Sequence, residues 1–321
     1  MIVGVGSALI DILAHENDDF LAKTDAVKGG MTLVDKNFIE HALSLITCQP
    51  RVVPGGSACN TVVGVGRLGG QARFVGKCGQ GPMGALFENE LKKNNVDPVL
   101  FKSSSPTGKV LSIITPDAQR SMLTFLGAAS EAHPEEITEK CFENAAIVHI
   151  EGYLVFNEAL ILAALRAAKK AGAWISLDLA SFTIVESSKT LLKSIVKEYV
   201  DILIANEDEA RAYTGWADET RAIQALVEDT HFAALKTGKR GSYIAHSGNI
   251  IKIDPKGTGT AVDTTGAGDL WAAGFLFGLV NDYSLEKCGE LGSACGYEVC
   301  QVDGANIPEQ GWHRIKKLLE E

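Results

Sequence analysis

The sequence predicts an α/β fold: a doubly wound, mostly parallel sheet with helices on both faces and a small β-sheet lid. Three observations carry this expectation. From about residue 145 onward, short apolar runs alternate with segments of helical periodicity, which calls for βαβ crossovers and a sheet covered on both faces. The 321 residues, 46% apolar and 22% charged, fit two average domains or one large α/β domain with an insertion, and exclude disorder and small disulfide scaffolds. Two segments, 12–35 and 104–123, break the rhythm with short β-like runs that would have to meet in space, leaving 1–11, 36–103 and 124–321 to the main domain.

Taken in order, Met1-Ile2-Val3-Gly4-Val5-Gly6 reads as a buried first strand, running to Asp11 without a cationic leader. Residues 60–69 read as one helix, 73–75 as a strand and 85–94 as a helix. Within the second lid segment, Lys109-Val110-Leu111-Ser112-Ile113-Ile114 is strand-like. Residues 146–150 form a strand candidate, and 158–172 a helix whose apolar residues recur three and four apart, with Gly172 suited to its end. Strands at 174–179, 200–205 and 232–235 follow, with a helix at 188–199 between the first two. Residues 270–280 are strongly apolar yet too few to span a bilayer, so they suit a core helix.

Charge and cysteine usage narrow the function. Thirty Lys and Arg against forty Asp and Glu give a net charge of −10, which argues against a nucleic-acid partner. The pairs Lys92-Lys93, Lys169-Lys170 and Lys316-Lys317 read as solvated helix faces. Seven cysteines without a CxxC, and scattered histidines, show no zinc pattern and suit reduced thiols in a cytoplasm. A soluble cytoplasmic protein acting on a small molecule, with no membrane partner, is expected.

The most informative string is Val262-Asp263-Thr264-Thr265-Gly266-Ala267-Gly268-Asp269, followed by an apolar helix. A Gly-Ala-Gly turn opening a helix presents amides with no intrahelical partner, and the helix dipole behind them makes an anion site. Asp269 adds a carboxylate beside it; by itself, such an Asp would simply favour a helix N-terminus. Asn206-Glu207-Asp208-Glu209 ends a strand and reads either as an N-capped acidic helix start or as a sparse Mg²⁺ site. Two Gly-x-Gly-x-x-Gly matches, at 64–69 and 79–84, lack the context of a dinucleotide site: the first falls within a helix, and the second has no acidic residue at the end of the next strand. No Gly-x4-Gly-Lys-Ser/Thr occurs, which excludes a P-loop enzyme.

The 262–269 string resembles the second signature of the ribokinase-like (PfkB) carbohydrate kinase family, and Gly55-Gly56-Ser57-Ala58-Cys59-Asn60 resembles the first. The resemblance covers essentially the full chain. It implies a ribokinase-like fold, ATP and Mg²⁺ as cofactors, and transfer of the γ-phosphoryl group to a hydroxyl. On it, Gly266, Ala267 and Gly268 hold the migrating charge and Asp269 is the base. Asn206 and Glu209 resemble the family's Asn-x-x-Glu element, which places Mg²⁺ through water. Thr237, Gly238 and Gly241, in Leu235-Lys236-Thr237-Gly238-Lys239-Arg240-Gly241, resemble the ATP loop, which Thr265 adjoins. Asp263 and Gly304 resemble the loop that holds a monovalent cation such as K⁺ in some relatives.

The resemblance is nearest to bacterial adenosine kinase-like members. It implies that Asp11 accepts from the ribose hydroxyls, that Ser7, Gly55, Gly56, Ser57 and Asn60 complete the sugar site, and that Arg120 reaches the transferring phosphate. Tyr153 aligns with a residue that stacks on adenine, or is a core aromatic; Met31 and Leu33 fall on the lid strand over the base, or only pack the lid. The expected reaction is phosphorylation of adenosine to AMP. A sugar kinase of the same family (ribose, fructose or a sugar acid), a kinase of inosine or guanosine, and a non-catalytic nucleoside- or nucleotide-binding regulator stay open, as do a monomer and a homodimer through the lid.

Overall fold

The computed structural model describes residues 1–117 and 119–320; Ala118, inside the 104–123 segment, and Glu321 lie outside the described residues. The chain opens with β1 (Ile2–Val5), β2 (Leu9–His15), α1 (Asp18–Lys23), β3 (Met31–Leu33), α2 (Lys36–Ser44) and β4 (Arg51–Gly55). Next come α3 (Ser57–Leu68), β5 (Ala72–Gly79), α4 (Pro82–Lys93), β6 (Val96–Ser103), β7 (Thr107–Ile114) and β8 (Arg120–Gly127). The second half runs through β9 (Ile147–Glu151), α5 (Glu158–Lys170), β10 (Trp174–Asp178), α6 (Phe182–Tyr199), β11 (Ile202–Asn206), α7 (Glu207–Thr214), α8 (Glu219–Val227) and β12 (Phe232–Lys236). The hairpin β13 (Ser242–His246) and β14 (Asn249–Ile253) precedes α9 (Ala267–Val280), α10 (Leu285–Val299) and α11 (Glu309–Glu320).

Two sheets result. The large one has the order β14-β13-β12-β11-β10-β9-β1-β5-β6, parallel from β12 to β6 and closed at one edge by the antiparallel hairpin. Its inner strands are buried on both faces. Leu203 and Ala205 join the core beneath α5 to α8, whereas Ile202 and Ile204 point to the core shared with α3, α9 and α10. A two-residue period thus splits one apolar run between two layers of helices, the doubly wound arrangement.

The small sheet has the order β3-β8-β7-β2-β4. It draws on more chain than the segments 12–35 and 104–123: β2 begins at Leu9, β8 runs to Gly127, and β4 joins it antiparallel, Asp11 facing Val53. β4 is an edge strand containing Pro54, whose missing N–H an edge tolerates, and no periodicity in the sequence marks it.

Helix α5 follows its pattern closely. Asn157 caps it by accepting from the Leu160 amide at 3.1 Å, Leu160, Ile161, Ala164, Leu165 and Ala168 are buried, and Gly172 past its end has φ 74°. Helix α6 starts six residues earlier than the expected 188, with a kink at Ser188 (φ −125°, ψ 21°). Its first turns are rich in Thr, Ile and Val, which lower helix propensity, but burial of Ile184 and Val185 outweighs that preference. Among the described residues no helix is long and apolar enough to cross a membrane.

Candidate active site

Four neighbouring parallel strands, β9 to β12, end on polar residues: Glu151, Asp178, Asn206 and Lys236. β1 lies between β9 and β5, where the strand order reverses, the place where open α/β sheets form a crevice beyond the strand ends. A cleft of ≈ 1510 Å³ opens there, floored by those four residues and by the start of α9, and roofed by the small sheet.

Gly266 turns the chain into α9 with φ 74°, a conformation that suits glycine. The Ala267 amide donates to Thr264 O and that of Leu270 to Gly266 O, which leaves the Gly268 and Asp269 amides without a helical carbonyl, facing the cleft. The Asp269 carboxylate accepts from Ser57 Oγ at 2.8 Å and from Asn60 Nδ2 at 2.8 Å, both on α3. Burial lifts its pKa above the ordinary aspartate value, while those two hydrogen bonds and the Arg120 guanidinium pull against it. The result is a fixed carboxylate beside an anion-binding turn. Ser57 and Asn60, expected on the substrate, both bind Asp269.

Asp11 lies on β2 and is 5% exposed. Burial pushes its carboxyl up to about 6, opposed by Arg120 and reinforced by Asp269. A Cβ at Gly55 would come within 2.5 Å of the Asp11 carboxylate, so Gly55 serves as backing for Asp11 and does not itself line the cleft. Ser7 and Gly56 do line it; the Ser7 amide donates to Glu151 Oε1 at 2.8 Å. Arg120, on β8, lines the cleft from the roof, and its guanidinium makes no hydrogen bond or ion pair among the described residues. Met31 and Leu33 line it on β3, and Tyr153 lines it from the floor while donating to Ala180 O at 3.2 Å.

The residues assigned to nucleotide and metal are placed less uniformly. Asn206 and Glu209 line the cleft but form a capping box: Glu209 Oε2 accepts from the Asn206 amide at 2.7 Å, Glu209 Oε1 from Asn206 Nδ2, and Asn206 Oδ1 from the Glu209 amide. Burial raises the Glu209 carboxyl, with Asp178 adding to the rise and Lys236 opposing it. One carboxylate and one amide at the cleft are a sparse donor set, which fits Mg²⁺ that keeps most of its waters. Gly238 and Gly241 line the cleft, whereas Thr237 is buried behind them, its amide and hydroxyl both donating to Gly241 O at 2.9 Å. Thr265 is likewise buried, bonded through its amide and hydroxyl to Asp263 Oδ1; its neighbour Thr264 lines the cleft instead. Asp263 Oδ2 accepts from the Gly304 amide at 2.7 Å. The Gly304 amide thus ties the Asp263 loop to a second loop, which brings together the two residues expected at a monovalent-cation site.

Glu151, Asp178 and Lys236 were not singled out from sequence. Glu151, 1% exposed, accepts from the Ser7 and Ala58 amides, and burial pushes it up to about 7. Lys236 donates to Asp178 at 2.7 Å. A signal existed: each closes an apolar run with a charge at a parallel strand's C-terminal end.

The description "pfkB family carbohydrate kinase" matches residues 23–311. Among curated proteins, the chain is 29% identical over 292 residues to the nucleoside kinase of Methanocaldococcus jannaschii, covering 89% of this chain and 91% of that one. Among solved structures, it is similar to a probable sugar kinase from Rhizobium etli (30% identity, TM-score 0.94, 98% and 97% covered) and to the adenosine kinase of Sinorhizobium meliloti (30% identity, TM-score 0.93, 99% and 98% covered). With the Asp269 carboxylate, the glycine turn into α9 and the roofed cleft in place, the chain belongs to the PfkB family of carbohydrate kinases and is a phosphotransferase with an alcohol group as acceptor.

Proposed function

We propose that this chain transfers the γ-phosphoryl group of ATP to the 5′-hydroxyl of adenosine, giving AMP and ADP. The observation that carries the reading is the composition of the cleft: Met31, Leu33, Met122, Tyr153 and Phe156 offer a base an apolar lining in the same cavity as the buried Asp11 carboxylate. With its pKa at about 6, Asp11 is mostly ionised at neutral pH and accepts from two adjacent ribose hydroxyls. The likeness to an adenosine kinase and a nucleoside kinase supports this acceptor.

Asp269 takes the hydroxyl proton, held in line by Ser57 and Asn60. The first amides of α9 take up charge on the phosphoryl oxygens, and Arg120 approaches from the roof. Mg²⁺ bound with ATP neutralises phosphate charge; Asn206 and Glu209 would meet its waters. The small sheet over the cleft keeps water, a competing acceptor, from the phosphoryl group.

The test is ADP release from MgATP with adenosine, inosine, guanosine, ribose and fructose offered separately. Activity with adenosine alone is expected. A free sugar as the preferred acceptor would support the second reading, favoured by the likeness to the Rhizobium etli sugar kinase, and would overturn the purine assignment. Asp269→Asn should fold with an unchanged circular dichroism spectrum and lose turnover by roughly 10²–10⁴-fold, the range for a general base. Near-wild-type turnover in that variant would remove Asp269 from the role.

A further inference from the structure

We propose that Lys236 is a further catalytic residue, its ammonium group meeting the phosphoryl group in transit from ATP; the inference rests on phosphoryl transfer at this site, whichever acceptor is used. Lys236 closes β12, its side chain is 13% exposed, and it lines the cleft. Nζ donates to Asp178 Oδ2 at 2.7 Å, while Asp178 Oδ1 accepts from the Ala180 amide at 2.9 Å, so the aspartate is tied at both oxygens and holds the lysine in place. A Cβ built on Gly268 would stand 3.0 Å from Lys236 Nζ. The ammonium therefore lies against the turn whose amides open α9.

A buried ion pair is a poor device for stability, because its desolvation offsets most of the attraction and apolar residues of like size serve as well. This pair lies in the cleft beside the turn that opens α9, where an arriving phosphate would meet the ammonium. An ammonium has three donors, and Asp178 is the one hydrogen-bond partner of Lys236 Nζ among the described residues. Lys236 also stands in the main sheet, whereas Arg120 belongs to the small one, so the lysine is in place however the roof is set. In the step itself, the acceptor oxygen–phosphorus bond forms as the bond from the γ-phosphorus to the bridging oxygen breaks. The hydroxyl proton passes to Asp269 and the bonding pair stays on ADP. Lys236 keeps its proton and balances charge on the oxygens.

The experiment compares wild type, Lys236→Met, Lys236→Arg and the double variant Lys236→Met/Asp178→Asn, with the best acceptor of the panel. Lys236→Met should lower kcat by about 10²–10³-fold, as loss of a charge-stabilising donor does, with the KM for the acceptor little changed and Lys236→Arg intermediate. The double variant, which leaves no unpaired buried aspartate, should stay as slow as Lys236→Met. Recovery in the double variant, or wild-type kcat in Lys236→Met, would show that the lysine only neutralises Asp178 and would overturn the inference. Calorimetric titration adds a readout free of turnover: the preference for a non-hydrolysable ATP analogue over ADP should fall about tenfold in Lys236→Met, the scale of one lost charge-assisted contact. An unchanged preference overturns the role of Lys236. Absence of turnover in the wild type with every acceptor overturns the functional reading instead, and the titration still decides on Lys236.

Discussion

Asp269 owes its setting to residues far away in sequence: Asn60 and Ser57 lie 209 and 212 positions earlier and supply the two hydrogen bonds that hold its carboxylate. Each donor favours the ionised form and so offsets part of the rise that burial imposes. Removing one leaves burial less opposed. Asn60→Ala should therefore move the acid limb of the pH profile of kcat/KM to higher pH, besides slowing the reaction. A limb that stays in place or moves down would mean that Asn60 acts on the substrate alone. The motifs placed these residues near the reaction, and their mutual contact could not be read from them because it depends on how α3 lies against α9.

At the scale of elements, that α3–α9 contact is set by a small residue. A Cβ at Gly64 would stand 2.6 Å from Ala273 Cβ and 2.8 Å from Leu270 Cδ1. Gly64→Ala should thus push α3 off α9 and cost about 1–3 kcal/mol, the usual range for overpacking, read as a lower midpoint in urea with an unchanged slope. Turnover should fall as well, since the same helices carry Asn60 and Asp269. A midpoint at or above that of wild type would show that the interface yields freely. Gly64 belongs to a Gly-x-Gly-x-x-Gly match that resembles a nucleotide fingerprint; its spacing here serves helix packing. Helix α5 was legible because its periodicity, cap and terminal glycine agree, whereas the start of α6 was hidden by β-branched residues whose burial outweighs their propensity.

Across the whole molecule, the cleft gathers carboxyl groups in a buried place, and this shapes its response to pH. Glu151 rises from an ordinary 4.5 to about 7 and Asp11 from 3.8 to about 6, burial being the main cause in both. Between the unfolded and folded values the native state binds more protons than the unfolded chain. Their contribution to stability is full below pH 4 and is lost as pH rises through 6 and 7. The ligand-free protein should therefore unfold at a lower temperature at pH 8 than at pH 5, and Glu151→Gln should flatten that dependence. A wild-type midpoint that climbs over this window would contradict the assignment. A ligand that binds only the folded state would offset part of the loss.

Alternation of apolar runs and helical periods in the sequence determined the parallel sheet, because a strand buried on both faces and a helix buried on one leave different apolar spacings. The Gly-Ala-Gly-Asp string likewise determined the turn into α9 and the carboxylate in its first turn, since both are built from consecutive residues. The tertiary structure alone decided what stands around them. Glu151, Asp178 and Lys236 become one floor only because β9, β10 and β12 lie in one sheet, Asp178 level with Glu151 and Lys236 two residues further along. It also decided that Asp263 reaches the Gly304 loop and that β4 joins the small sheet. The physical reason is common to all: a local pattern records which way a side chain faces, whereas its partner is chosen by elements that the chain brings together only on folding.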